Sequence, residues 1–133
     1  MRKRIPKYKN RKITRNGITH DSTKEYRRYV ELSLLEKAGM IQDLKRQVPF
    51  ELIPAQYIEI PTGEFYKRGE RKGQPKMKRV CVEQSVVYNA DFVYYENGKM
   101  VVEDTKSKAT KTEKYVIKRK LMLYFHNIKI KEV

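Results

Sequence analysis

Apolar and polar positions alternate most clearly over residues 88–106, where two runs rich in β-branched and aromatic residues flank Asn97-Gly98. Asn-Gly between such runs is the strongest short signal for a two-residue hairpin turn. With this turn as the loop, the strand register places Asp91 directly opposite Asp104. The pattern therefore predicts a β-hairpin that brings two carboxylates together at one end.

Helical patterns occur on both sides of this hairpin. Residues 22–39 predict a helix, because Ser22 and Glu25 have capping-box spacing and Gly39 is a good terminator. Glu25 has two open readings: it satisfies a backbone N–H in the capping box, or it reaches the acidic end of the hairpin. A second helix is predicted over about residues 113–125, with one apolar side and one basic side.

The rest of the pattern predicts strands. Residues 48–60 are expected to be extended, since their prolines exclude a helix and favour an edge strand or bends. Segments 56–65 and 77–88 predict a further hairpin around the basic loop 66–79. Residues 128–133 alternate as an edge strand. The order α-β-β-β-β-α-β predicts an α/β fold, a mixed central sheet flanked by helices.

Composition limits the classes of function. The 133 residues predict a basic N-terminal arm over 1–20 and a single domain over 21–133, and the net charge of +15 calls for a polyanionic partner, most simply nucleic acid. No apolar run approaches the length of a membrane span, and no secretory signal is evident. One cysteine, Cys81, supports neither a disulfide framework nor a Cys/His zinc site. We expect a soluble, cytoplasmic protein.

Basic residues concentrate in three regions: the N-terminal arm, residues 66–79 and residues 106–120. Such blocks are typical of surfaces that contact phosphates, although each can also be a solvated or solubilising surface. The cations expected to bind DNA are Lys3, Arg4, Lys7, Lys9, Arg11, Lys12, Lys67, Arg68, Arg71, Lys72, Lys108, Lys111, Lys114 and Lys118.

The opposed carboxylates have an electrostatic cost. At about 5 Å and an effective dielectric of about 20, Asp91 and Asp104 repel by about 3 kcal/mol. A divalent cation converts this repulsion into coordination, since Mg²⁺ usually takes one or two carboxylates. The plainer alternative is that Lys106, on the same face as Asp104, neutralises the pair at a solvated hairpin end.

A helix carrying Glu25, a hairpin carrying Asp91 and Asp104-Thr105-Lys106, and a following helix resemble the PD-(D/E)XK nuclease superfamily. Residues 12–133 also resemble small phage-encoded proteins within that superfamily, with Ala90 in place of the motif's proline. The resemblance implies a restriction-endonuclease-like αβββαβ core.

The resemblance also implies roles for the motif residues. Asp91 and Asp104 hold Mg²⁺ or Mn²⁺, with the Thr105 carbonyl as a possible ligand. Glu25 binds the metal directly, through water or at a second ion, and Lys106 positions the attacking water and offsets charge. The catalytic set is therefore Glu25, Asp91, Asp104 and Lys106.

The function implied is metal-dependent hydrolysis of DNA phosphodiesters. The leading reading is a homodimeric phage endonuclease that resolves Holliday junctions or other branched DNA, because a small enzyme without a separate recognition domain reads shape through phosphates. A second reading keeps the nuclease chemistry but acts on flaps, ends or a specific sequence in phage recombination or packaging. A third is a non-catalytic basic nucleic-acid-binding protein.

Overall fold

The computed structural model describes residues 13–15, 18–20, 23–107 and 110–133. Its residues group into two compact units, one formed by Glu51–Val87 and the other by the segments on either side. The described elements in chain order are β1 (Ile13–Arg15), β2 (Ile18–His20), α1 (Thr23–Lys37), β3 (Gln42–Ile53), β4 (Gln56–Phe65), β5 (Pro75–Glu83), β6 (Val86–Glu96), β7 (Lys99–Asp104), α2 (Glu113–His126) and β8 (Lys131–Glu132).

The larger unit contains a mixed sheet with strand order β3-β6-β7-β8. Strands β6 and β7 are antiparallel, whereas β7 and β8 are parallel, as expected when a helix connects them. The predicted α/β class with a mixed sheet is confirmed. Without the β1–β2 and β4–β5 pairs, the order is α1-β3-β6-β7-α2-β8, which is the αβββαβ order named above.

The β6–β7 hairpin has the predicted register. Glu96 pairs with Lys99 and Phe92 with Glu103. Asn97 and Gly98 both have positive φ, 52° and 74°, which a type I′ turn requires at its two central residues. The prediction of this hairpin is therefore confirmed, and its register continues toward Asp91 and Asp104.

Both predicted helices are present, and their ends follow from local sequence. Helix α1 ends at Lys37, and the φ of 75° at Gly39, two residues later, permits the backbone hydrogen bonds that close a Schellman motif. Helix α2 begins after Thr112, whose hydroxyl accepts a hydrogen bond from the Tyr115 N–H at 3.2 Å. It ends at His126 and is capped by Asn127 in the left-handed conformation.

A small aromatic and aliphatic cluster joins α1 to the sheet. Leu32 from α1 packs with Ile41, Phe92 and Tyr94, and all four are buried. Tyr29 stacks on Phe92 with ring centroids 6.3 Å apart. The cluster fixes the face of α1 that also carries Glu25, so core packing and site placement are linked.

Strand boundaries differ from the predictions in three places. Strand β3 begins at Gln42, earlier than the predicted residue 48, although its position at a sheet edge agrees with the proline it carries. The predicted strand 77–88 is interrupted, since β5 ends at Glu83 and β6 begins at Val86. The final strand covers only Lys131–Glu132, at the other edge.

The smaller unit contains the β4–β5 ribbon, which confirms the predicted hairpin around a basic loop. The strands pair antiparallel from Gln56 with Glu83 to Phe65 with Pro75, with two register shifts. No residue of either strand is buried. The ribbon therefore lacks the packed face that antiparallel sheets usually have.

Most of the predicted basic arm lies outside the described residues. Strands β1 and β2 are the described part of it, and they pair antiparallel. Neither α1 nor α2, the helices of the described chain, has the length and apolar composition of a membrane span.

The buried cluster predicts a difference between two leucines of α1. Leu32→Ala should lower the free energy of unfolding by about 2–5 kcal/mol, because it removes buried methyl groups and leaves a cavity. Leu34→Ala is the matched control, because Leu34 is 61 % exposed and its loss should cost less than about 0.5 kcal/mol. Urea unfolding measures both, and equal losses would contradict this account of the core.

Candidate active site

The structure brings the predicted acids and lysine to one end of the β6–β7 hairpin. Asp91 lies in β6, Asp104 is the last residue of β7, and Lys106 follows two residues later. Glu25 lies in the first turn of α1. Backbone pairing places the first three residues, and the packing of α1 on the sheet places the fourth.

Asp104 is almost completely buried, with 2 % of its surface exposed. The Tyr88 hydroxyl donates a hydrogen bond to its Oδ2 atom, and the Lys106 Nζ atom lies 2.9 Å from its Oδ1 atom. Both carboxylate oxygens therefore have a polar partner. A buried carboxylate held this firmly is oriented by its neighbours and not by solvent.

Burial and the nearby charge of Asp91 raise the pKa of Asp104 to about 6. The hydrogen bond from Tyr88 and the positive charge of Lys106 oppose this shift but do not cancel it. The influence of Asp91 on the pKa of Asp104 is the electrostatic consequence of the two opposed carboxylates. The same environment raises the pKa of Tyr88, mainly through burial and its bond to Asp104.

Asp91 is oriented by Thr105, the residue between Asp104 and Lys106. The Asp91 Oδ2 atom accepts hydrogen bonds from the Thr105 N–H at 2.9 Å and from the Thr105 hydroxyl at 2.7 Å. Thr105 thus ties the two strands of the site together. Its predicted role as a metal ligand through the carbonyl stays a prediction.

Lys106 is held through both its side chain and its backbone. Its Nζ atom lies 4.3 Å from the centroid of the Tyr115 ring, a cation–π contact that keeps the ammonium beside Asp104. The Lys106 N–H donates to the Val133 carbonyl at 3.0 Å, and its own carbonyl accepts from Lys24 Nζ at 2.7 Å. The position of the ammonium is therefore fixed by α1, α2 and the backbone after β8.

Gln47 connects Glu25 to Asp91. Its Nε2 atom donates to Glu25 Oε1 at 3.0 Å and lies 3.4 Å from Asp91 Oδ1. Glu25 is buried, with 2 % of its surface exposed. This contact favours the reading in which Glu25 reaches toward the hairpin. The Ser22 half of the capping-box reading lies outside the described residues.

The neighbouring acid Glu103 has a different partner. It is fully buried and receives two hydrogen bonds from the Arg28 guanidinium, at 2.8 and 3.2 Å. Although burial opposes the shift, hydrogen bonds to Glu103 and Glu31 raise the pKa of Arg28. Since Glu103 is matched by Arg28, Asp104 is the acid that shares the site with Asp91.

Comparison with known proteins places this chain in a family. A family model described as "Protein of unknown function (DUF1064)" matches residues 5–133. The chain belongs to the DUF1064 family. A search of the curated proteins and a search of the solved structures each found no match to it.

The donor set of this DUF1064 protein suits a hard divalent cation. Asp91 and Asp104 supply carboxylate oxygens close enough for one charge to raise the pKa of the other. Within the described chain, no cluster of three His, Cys, Asp or Glu side chains could hold a metal. Two carboxylates are nevertheless the usual protein complement of Mg²⁺, which keeps several waters. The arrangement therefore fits Mg²⁺ better than zinc.

The predicted DNA-binding cations fall into separate groups. Lys67, Arg68, Arg71 and Lys72 lie in the turn between β4 and β5. Lys111 pairs with Glu132 at 2.6 Å, and burial and the Lys114 charge lower the pKa of Lys118. The predicted cations outside the described residues are Lys3, Arg4, Lys7, Lys9, Arg11, Lys12 and Lys108.

Four residues of the site were not identified from the sequence: Lys24, Gln47, Tyr88 and Tyr115. Tyr88 carried a usable signal, because a tyrosine in a core strand needs a hydrogen-bond partner and Asp104 is the nearby acid. Gln47 carried none, since its contact depends on a left-handed backbone with φ of 51° inside β3.

The raised pKa of Asp104 predicts a stability change with pH. Between its ordinary value of 3.8 and about 6, the folded protein binds more protons than the unfolded chain, so stability falls as the pH rises through this window. Asp104→Asn should therefore raise the free energy of unfolding by about 1–2 kcal/mol at about pH 7.5, and by much less at about pH 4.5. Urea unfolding at both pH values measures the difference.

Asp43→Asn is the matched control, because the Asp43 carboxylate is exposed. Its backbone is left-handed, a conformation that asparagine adopts as readily as aspartate. It should change stability equally little at the two pH values. A destabilised Asp104→Asn protein at neutral pH would show that the Lys106 ion pair outweighs the cost of burying the charge.

Proposed function

We propose that this DUF1064 protein is a metal-dependent endodeoxyribonuclease of the PD-(D/E)XK type. The observation that carries the proposal is the joint placement of Asp91, Asp104 and Lys106 at the end of one antiparallel hairpin, with Lys106 Nζ 2.9 Å from Asp104 Oδ1. The αβββαβ order around this hairpin supports it.

A function limited to DNA binding does not explain this arrangement of acidic residues. Burying Asp104 and setting it near Asp91 raises its pKa, which is a free-energy cost at neutral pH. Negative charge would also weaken binding of a polyanion. Groups with strongly perturbed pKa values cluster at functional sites, so the cost favours catalysis.

Asp91 and Asp104 are the residues that would hold Mg²⁺ or Mn²⁺. The metal, when bound, supplies Lewis-acid stabilisation of the phosphate and lowers the pKa of water. The protein keeps its two carboxylates in place beforehand: Thr105 orients Asp91, and Tyr88 orients Asp104.

Lys106 places a positive charge beside the reacting phosphate. The Tyr115 ring and Asp104 fix its ammonium, so little reorganisation is needed when negative charge develops on the phosphate oxygens. It can also orient the attacking water by hydrogen bonding. Glu25, linked to Asp91 through Gln47, is the third acid of the proposed site.

We propose branched DNA, such as a Holliday junction, as the substrate of a homodimer in the host cytoplasm. The net charge of +15 and the basic groups on several elements support readout of DNA shape through phosphates. A two-fold dimer supplies two paired incisions for a four-way junction. This assignment of substrate rests on the resemblance, and cleavage of flaps or ends would keep the chemistry while changing the role.

The proposal predicts metal-dependent cleavage that is lost on changing the hairpin end. Labelled four-way junction, flap, linear duplex and single-stranded DNA would be incubated with the full chain in Mg²⁺, Mn²⁺ or EDTA. Paired symmetric nicks in the junction are expected with either metal and none in EDTA. Asp104→Asn and Lys106→Gln should each reduce the rate at least about a hundredfold.

Asp43→Asn and Lys45→Gln are the matched controls, since they make the same chemical changes at exposed positions. DNA binding by Asp104→Asn should persist, which separates loss of turnover from loss of affinity. Tight DNA binding with no cleavage of any substrate in either metal would reject the nuclease and leave a binding protein.

Metal binding itself should depend on pH. Because a proton on Asp104 competes with the metal, the apparent affinity for Mn²⁺ should fall by up to about tenfold per pH unit below about pH 6. Electron paramagnetic resonance of free Mn²⁺ measures this without reference to activity. Asp104→Asn should bind weakly at every pH, and an affinity independent of pH in the wild type would exclude Asp104 as a ligand.

A further inference from the structure

The β4–β5 ribbon has no buried residue on either face. Its exposed apolar side chains include Ile58, Phe65, Met77 and Val82, each between 46 and 57 % exposed. A two-stranded hairpin alone is marginally stable in water, and a sheet usually buries one face. A ribbon with both faces exposed therefore has a surface on which a binding partner can pack.

The two faces of the ribbon differ in charge. Opposite partners share a face, so Ile58 with Val80 and Ile60 with Lys78 lie on one side. Lys76 lies on the same side, two residues before Lys78. This lysine-bearing face therefore combines two cations with an apolar strip. No acid occupies its paired positions, although Glu64, at the register shift, lines a pocket together with Lys76.

The opposite face is close to neutral. Glu59 pairs with Arg79, and the Arg79 guanidinium stacks over the Tyr57 ring at 3.8 Å. One charge of each sign therefore cancels there. The contrast singles out the face with Lys76 and Lys78 for a negatively charged partner.

The turn of the ribbon presents further cations on an ordered loop. The Tyr66 N–H donates to the Gln74 carbonyl at 3.0 Å, and the Gly73 N–H donates to the Tyr66 carbonyl at 2.9 Å. Arg71 and Lys76 flank the Tyr66 ring at 5.9 and 5.6 Å. Residues 66–74 of the turn hold four Lys or Arg and a single acid. The charge is thus concentrated at the end of a narrow arm.

A narrow basic ribbon matches one feature of duplex DNA. The major groove of B-form DNA, about 12 Å wide, admits a two-stranded β-ribbon, whereas the major groove of A-form RNA is too narrow and deep for side chains to read. At about 3.3 Å per residue, the ten residues of β4 span about 33 Å, close to one turn of B-form DNA.

We propose that the β4–β5 ribbon is a DNA-reading arm that enters the major groove of B-form duplex DNA. Its face with Lys76 and Lys78 lies toward the groove, and the turn cations Lys67, Arg68, Arg71 and Lys72 contact the flanking phosphates. The inference deepens the proposed function, on which it rests for the choice of DNA as ligand.

A second copy of the chain is the alternative partner for this face of the ribbon, since the apolar side chains of two ribbons could pack across a two-fold axis. The charge argues against it, because the concentrated cations of two turns would repel each other unless an anion lay between them. This occupant is an outcome of the test below.

The test uses the full chain and the double variant Lys76→Ala/Lys78→Ala. The matched control is Lys37→Ala/Lys45→Ala, which removes the same charge from exposed positions in the larger unit. Binding to a duplex DNA and a duplex RNA of the same sequence would be measured in EDTA over a range of salt. Methylation of guanine N7 by dimethyl sulfate would report on the major groove.

We expect the ribbon variant to bind duplex DNA about tenfold more weakly, with a salt slope smaller by about two, and to lose its preference for DNA over RNA. Protection of guanine N7 by the wild type should disappear in the ribbon variant and persist in the control. Equal affinities, slopes and protection in the two variants would overturn the inference. So would a ribbon variant that becomes monomeric while its DNA affinity is unchanged.

Cleavage at saturating protein separates this inference from the proposed function. If the wild type cuts DNA and the ribbon variant binds like the control, the DNA-reading role of the ribbon is rejected and the proposed nuclease activity is retained. If duplex binding depends on the ribbon and no metal supports cleavage, the nuclease activity is rejected and the DNA-reading role is retained. Absence of duplex binding by the wild type would reject the DNA-reading role.

Discussion

The pairing register of β6 and β7 is the constraint on which the site depends. The Asn97-Gly98 turn sets it, and each pair between Phe92 with Glu103 and the turn keeps it. A slip of one residue would send every side chain of β7 to the opposite face. Asp104 would then occupy the face where Arg28 pairs with Glu103, and the carboxylates would separate. The geometry of the site therefore depends on a turn that lies several residues away.

Adjacent acids on β7 show how much the face matters. Glu103 is fully buried yet matched by two hydrogen bonds from Arg28, a bidentate pairing that suits a carboxylate. Asp104 is nearly as buried, but it lies near Asp91, and one lysine and one tyrosine leave its charge only partly compensated. Glu103 thus joins α1 to the sheet, while Asp104 retains the electrostatic imbalance that a ligand can relieve.

Sequence patterns predicted the parts of the molecule that local chemistry determines. The hairpin, both helices and the proximity of Asp91 to Asp104 follow from a turn dipeptide, capping residues and two-residue periodicity. The start of β3 could not be predicted, because residues 42–47 are almost all polar and two of them, Asp43 and Gln47, have left-handed backbone. The Gln47 contact was missed because it joins elements distant in sequence, and the residue type does not indicate its partner. The Tyr88 contact lies between the two strands of one hairpin, and its signal was the need of a buried tyrosine for a hydrogen-bond partner.

Gln47 lies in the outermost strand of the sheet, where a regular row of free N–H and C=O groups would invite another chain to add as a further strand. Left-handed backbone at Asp43 and Gln47, together with Pro49, interrupts that row. The conformation that directs the Gln47 amide toward two acids therefore also makes the edge a poor template. The same few residues therefore orient a side chain of the candidate site and protect the sheet against edge-to-edge aggregation.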